Sequence, residues 1–135
     1  MIVVLDTNVF VSSFFGGNPR RIIDLWKTGR YKIGLSPAII EEYIEVLGRL
    51  GLTGEPELKE ILDFLAQGTG IVFSANSPDL RVVKDDPDDD KFVACAVALK
   101  AEIVVTGDKA LRKVGSFGGI RILTPAEFLK AKDIH

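Results

Sequence analysis

The chain has 135 residues, 47% of them hydrophobic and 27% charged, and a formal net charge of −2. That length suits one domain with a real core, residues 1–135, and that balance excludes disordered and fibrous classes. The one cysteine, Cys95, rules out an internal disulfide or a thiolate metal cluster and fits a reducing, cytoplasmic setting. No stretch approaches the roughly 18 apolar residues of a membrane span, so a soluble protein with no membrane partner is expected.

The chain opens with Ile2–Leu5, a short apolar run that reads as a strand buried on both faces of a parallel sheet. Asp6 stands at its carboxyl end, too early in the chain for the run to be a signal peptide. A short helix should follow as far as Phe14 or Phe15, with Thr7 and Asn8 in its first turn, before Gly16, Gly17 and Pro19 break it. Ile22, Ile23 and Trp26 predict a helix over 20–27, and 31–35 reads as the second strand. Ser36 and Pro37 are an N-cap residue and a proline at the first helical position. Their helix should reach about Leu50, burying Ile39, Ile40, Tyr43, Ile44, Val46, Leu47 and Leu50 and leaving Glu41, Glu42 and Glu45 outside the stripe. Leu58, Ile61, Leu62 and Leu65 supply the stripe of the next helix. Residues 70–73 read as a third strand and 79–84 as a loop of some extended character.

Five aspartates then fall within 85–90. The apolar, alanine-rich segment 91–99 predicts a helix buried all round. Ile103–Val105 is another strand, ending in Thr106, Gly107 and Asp108, and a short basic helix bearing Lys109, Arg112 and Lys113 follows. Ile120–Leu123 is the last strand, and Thr124 with Glu127 forms a capping box around Pro125 that launches the final helix. This alternation argues for an α/β fold, an αβα sandwich on a mostly parallel sheet.

In such a sheet Asp6 and Asp108 share the crevice at the carboxyl ends of the strands, although each also reads as a simple helix cap. Within the acidic run, Asp90 continues the helical row of Val93, Ala94, Val97 and Ala101, which should face the sheet. Asp85, Asp86, Asp88 and Asp89 read as solvated loop residues. Glu41, Glu42 and Glu45 read by default as a solvated helix face, and periodicity does not choose between Glu41 and Glu42. Carboxylates about 4 Å apart repel by on the order of 4 kcal/mol per pair in a partly buried site, so a cluster demands protons or cations. The only histidine is His135, at the terminus, so the ligands are hard oxygens that favour Mg²⁺ or Mn²⁺ over Zn²⁺. Such ions activate a water and stabilise both oxygens of a phosphoryl displacement. With the site acids set aside the remaining charge is mildly positive, which permits a phosphate-bearing substrate.

Four stretches, Val3-Val4-Leu5-Asp6-Thr7-Asn8-Val9, Ser36-Pro37-Ala38-Ile39-Ile40-Glu41-Glu42, Asp90-Lys91-Phe92-Val93-Ala94-Cys95-Ala96 and Val105-Thr106-Gly107-Asp108-Lys109, resemble the successive acidic motifs of PIN-domain nucleases. The closing Ile122-Leu123-Thr124-Pro125-Ala126-Glu127-Phe128-Leu129 is similar to the tail of their toxin-like prokaryotic branch. The resemblance implies a Rossmann-like αβα fold and a Mg²⁺- or Mn²⁺-dependent endoribonuclease with Asp6, Glu42, Asp90 and Asp108 as catalytic, metal-binding acids. It is the resemblance that selects Glu42 over Glu41. It also implies that Thr106 orients the cluster by hydrogen bonding, with Asn8 in support. Ala110 stands where many relatives carry a further aspartate, a departure that bears on a second metal ion. Many relatives are toxins silenced by a small antitoxin and form homodimers, which would give the helices around Glu42 and 58–65 a partner surface. Arg112, Lys113 and Arg20 are the candidates to hold an RNA backbone. Two other readings stand beside this one. One is a phosphatase or phosphotransferase with Asp6 as nucleophile, for which Asn8 stands where a second acid is usual; the other is a catalytically weak RNA- or protein-binding module.

Overall fold

The computed structural model describes residues 1–131, so His135 lies outside the described residues. In chain order the elements are β1 (Ile2–Leu5), α1 (Thr7–Ser12), α2 (Gly17–Lys27), β2 (Lys32–Leu35), α3 (Pro37–Arg49), α4 (Pro56–Ala66), β3 (Ile71–Phe73), α5 (Asp90–Leu99), β4 (Ile103–Val105), α6 (Lys109–Val114), β5 (Ser116–Phe117), β6 (Ile120–Leu123) and α7 (Pro125–Lys130). Short 3₁₀ turns over Ser13–Phe15 and Pro87–Asp89 complete the list. Among the described residues six strands form one sheet, ordered β3-β2-β1-β4-β6-β5. All neighbours run parallel except the short β5, which folds back on β6. This is the expected α/β architecture, a mostly parallel sheet flanked by helices. No described helix is long and apolar enough to cross a membrane.

The order places the site. From β1 the chain winds outward to β2 and β3, then returns to the other side of β1 for β4 and β6. The direction of winding therefore reverses between β1 and β4, and a crevice opens at their carboxyl ends. In register, Leu5 lies beside Val105. The next residues, Asp6 and Thr106, consequently leave the sheet side by side.

Burial follows the apolar pattern of the strands. Val3, Val4 and Leu5 of β1 and Ile103, Val104 and Val105 of β4 are fully buried, as strands covered on both faces require. A side chain at Gly34 of β2 would put its Cβ 2.9 Å from Leu99 Cδ1 and 3.2 Å from methyl groups of Ile2 and Val4, so glycine lets α5 seat closely on the sheet. On the neighbouring layer, Phe10 of α1 stacks on Tyr43 of α3 with ring centroids 4.2 Å apart, and the Tyr43 hydroxyl donates to the Leu5 carbonyl. These contacts lock α3 against β1 and so set the height of Glu42.

Several boundaries and burials differ from the sequence reading. Gly16 and Gly17, at φ 98° and 68°, turn the chain within two residues, and α2 starts at Gly17 rather than three residues later. Pro19 sits in its first turn, where its missing N–H costs nothing. On α3 the buried face is Ile39, Tyr43 and Leu47, whereas Ile44 is 63% and Leu50 54% exposed. Leu62 of α4 is likewise half exposed. The gap between α3 and α4 is an apolar crevice flanked by Ile40, Ile44, Leu58 and Leu62, so part of the expected stripe faces solvent there. Helix α5 is buried from Phe92 to Ala96 but emerges at Val97 and Ala98. An all-round apolar helix is thus covered only over its first turns, where the sheet and α3 meet it.

The Gly34 contact generates a stability test. Gly34→Val forces Leu99 or α5 itself to move, and overpacking of this kind costs about 1–3 kcal/mol. Urea unfolding should show that loss as a lower midpoint with an unchanged slope.

Candidate metal centre

Three acids arrive from β1, α3 and β4, and the acidic loop before α5 supplies the rest. Asp6 caps α1: its Oδ1 accepts from the Val9 N–H at 2.8 Å. Its Oδ2 accepts from the Thr106 hydroxyl, which in turn accepts from the Asp108 N–H at 2.9 Å. Asp108 caps α6 with Oδ2, accepting from the Leu111 N–H at 3.3 Å. Cap and site are therefore the same residues, as the backbone N–H groups at a helix start and the crevice occupy the same end of the strands.

The 3₁₀ turn Pro87–Asp89 folds the acidic loop over this end of the sheet. Asp86, Asp89 and Asp108 each present a carboxylate oxygen, and these oxygens lie within 4.8 Å of one another. Asp90 is directed elsewhere. Its Oδ1 accepts from the Val82 N–H at 2.9 Å and the Val83 N–H at 2.8 Å. Residues 82 and 83 belong to no strand, so these N–H groups need an acceptor, and the first residue of α5 provides it. The sequence reading placed Asp90 in the cluster and Asp89 in solvent; here Asp89 lies with Asp86 and Asp108, while Asp90 Oδ1 is bonded to the Val82 and Val83 backbone. The helical row it relied on describes directions inside a helix, while Asp89 takes its direction from the turn before it.

Glu42 faces the same cleft from α3, whereas Glu41 is exposed. The Thr7 hydroxyl donates to Glu42 Oε2, and Lys91 Nζ lies 2.8 Å from Oε1. The cleft, about 200 Å³, is completed by Asn8 at its lip and by Val46, Arg49 and Phe92. Arg49 went unnoticed in the sequence, yet it lies two helical turns beyond Glu42 and so on the same face.

The expected backbone-holding cations separate. Arg112 and Lys113 lie with Lys109, Arg121 and Glu127 along an open groove of about 680 Å³. Its Lys109 directly follows Asp108, the α6 cap that lines the cleft. Lys113 also pairs with Asp85 at 2.8 Å. Arg20 lines neither: its guanidinium donates to the Ser13 and Phe14 carbonyls and pairs with Glu57 at 3.5 Å, tying the first 3₁₀ turn to α2 and α4.

A PIN-domain family model matches residues 2–110, from β1 into α6, and so includes all of these acids. The chain belongs to the PIN-domain family. It is also 31% identical over 139 aligned residues to an uncharacterized protein of Methanocaldococcus jannaschii, the match taking in 98% of this chain and 82% of the relative. PIN domains are a nuclease family, and the acidic group here is of the kind that holds a divalent cation.

The electrostatics of this PIN domain fit such a cation. Burial pushes the Asp6 carboxyl up to about 6, against the hydrogen bonds from Thr106 and Val9 that favour its ionised form; the charges of Asp108 and Glu42 raise it further. Asp89 is pushed up to about 8, by burial first, then by its contact with the Asp108 carboxylate and by the charges of Asp86 and Asp6. Asp89 Oδ2 is buried with no hydrogen-bond donor among the described residues. Its near neighbour is another carboxylate, so a proton or a cation has to stand between them.

The sign of the linkage follows. Both groups bind protons more tightly in the folded chain than in the unfolded one, so the metal-free fold loses stability as pH rises through about 6 and about 8. It is relieved as pH falls toward the ordinary carboxylate range. Calorimetry in chelator should therefore give a higher melting temperature near pH 5.5 than near pH 8.5, and Asp89→Asn should flatten the difference. Millimolar Mg²⁺ or Mn²⁺ should raise the melting temperature more at the alkaline end.

Proposed function

We propose that this PIN domain is a Mg²⁺- or Mn²⁺-dependent endoribonuclease whose ion is held by Asp6, Asp89 and Asp108, with Asp86 at the rim. The observation that carries the reading is Asp89, whose Oδ2 is buried without a hydrogen-bond partner among the described residues and whose carboxylate is grouped with those of Asp86 and Asp108 in a cleft gathered from separate elements. A hard divalent ion bound there supplies Lewis-acid charge to a phosphodiester and lowers the pKa of a water. The protein's own work is orientation. Thr106 holds Asp6 and the Asp108 loop in fixed relation, Glu42 with Lys91 forms the facing wall, and Asn8 lines the entrance.

RNA as the substrate, and a toxin role, rest on the resemblance of the closing segment to the toxin-like branch. The basic groove along α6 and β6 supports a nucleic-acid strand, since Lys109, Arg112, Lys113 and Arg121 line it and Lys109 follows Asp108 of the cleft in the chain. Arg49 would meet the strand on the α3 side. Arg20, engaged with carbonyls and Glu57, has no part in this path. The apolar crevice between α3 and α4, with Ile44 and Leu62 exposed, supports the expected homodimer or small antitoxin as a partner. For a phosphotransferase with Asp6 as nucleophile, the residue two positions on is Asn8 and not the usual second acid.

The test separates Asp89 from Asp90. On single-stranded RNA with Mn²⁺, Asp6→Asn and Asp89→Asn should each lower turnover by on the order of 100-fold or more, the scale of losing a charge-stabilising group. Asp90→Asn should cut at close to the parental rate, because an amide oxygen still accepts from Val82 and Val83. Equal loss in the variants at 89 and 90, or full activity in Asp6→Asn, would overturn the assignment.

A further inference from the structure

A separate recess of about 330 Å³ opens between the residues that follow β2 and β3 and the first turns of α5. Lys91 lines it, and the Lys91 ammonium lies 2.8 Å from Glu42 Oε1 of the cleft, so one ion pair joins the two. With the strands ordered β3-β2-β1-β4-β6, the recess, the cleft and the basic groove follow one another across the sheet. The recess walls are mostly apolar, with Pro37, Pro78, Leu80 and Ala94 among them. Ser77 and Asp79 bring a hydroxyl and a carboxylate, and neither side chain has a hydrogen bond or ion pair with the described residues.

Apolar walls with a few polar groups that fix orientation are the make-up of a small-ligand pocket. The Lys91 ammonium disfavours a cationic ligand, and the free Asp79 carboxylate disfavours an anionic one. A flat neutral ring with N–H donors on its edge suits both. We infer that this recess is a base-specificity pocket, which takes a nucleobase bearing an exocyclic amino group from the strand cut in the cleft, with Asp79 accepting from that amino group. The inference rests on the nuclease reading above and deepens it. Splayed-out bases of single-stranded RNA are held in this way, by apolar side chains on their faces and hydrogen bonds on their Watson–Crick edge. Cytosine presents its amino group where uracil carries a carbonyl oxygen, which a carboxylate repels.

The experiment uses the full chain and two probes, a short uridine oligoribonucleotide and the same strand with one central cytidine. Affinity is measured by calorimetric titration with Ca²⁺, and cleavage with Mn²⁺. Wild type should bind the cytidine strand about tenfold more tightly, the scale of one hydrogen bond to a charged group, and cut it beside the cytidine. Asp79→Ala should bind the two strands within about twofold of each other. Asp79 is exposed and without a partner among the described residues, so this variant should melt with wild type. Asp79→Lys, which sets a donor in place of the acceptor, should abolish or reverse the preference. Equal affinity of wild type for the two strands, or a cytidine preference that survives in either variant, would overturn the pocket; if both strands are still cut, the nuclease reading stands. A cytidine preference lost in both variants, with neither strand cut by wild type, would uphold the pocket and overturn the nuclease reading. Binding of neither strand would overturn both.

Discussion

A hydroxyl group holds this site together. Thr106 donates to Asp6 and accepts from the Asp108 backbone, so one buried side chain fixes two acid-bearing loops that would otherwise repel. It can do so because the parallel register sets Leu5 beside Val105, which delivers Asp6 and Thr106 to the same level on adjacent strands. Shift that register by one residue and the hydroxyl, the cap and the carboxylate would all point to different faces.

The same constraint explains why the cleft is costly to keep empty. Helix capping gives Asp6 and Asp108 backbone N–H partners, and Thr106 gives Asp6 another, yet burial still outweighs these bonds and holds Asp6 above the usual carboxylate range. Asp89, with a buried oxygen lacking a donor, is perturbed further. On the other wall the problem is solved within the chain, where Glu42 is met by Lys91 and Thr7. Glu42 is neutralised by a lysine, whereas Asp86, Asp89 and Asp108 form a carboxylate group of the kind that holds a divalent cation.

Around this cleft the scaffold is ordinary packing put to a specific use. Gly34 lets α5 sit close on β2, which brings the acidic turn over the strand ends. Phe10 against Tyr43, with the Tyr43 hydroxyl on the Leu5 carbonyl, fixes α3 so that Glu42 and Arg49 line the opposite wall. Asp90 belongs to this framework too, because it secures the irregular segment at Val82 and Val83 that feeds the acidic turn.

The five parallel strands, their alternation with helices, the Ser36 and Thr124 caps and the placing of Asp6 and Asp108 at strand ends were legible in the sequence; the two-residue antiparallel β5 was not. Each of the legible features is local: an apolar run ending in a carboxylate, or a capping residue before a proline, carries its own geometry. What the linear chain could not decide was which neighbour in 85–90 turns inward, which cation pairs with Glu42, how far α3 is covered, and that Arg20 serves the first 3₁₀ turn. Those outcomes depend on which unpaired N–H groups and charges other elements bring to the same place. Only the folded chain sets Val82 and Val83 against Asp90, and Lys91 against Glu42.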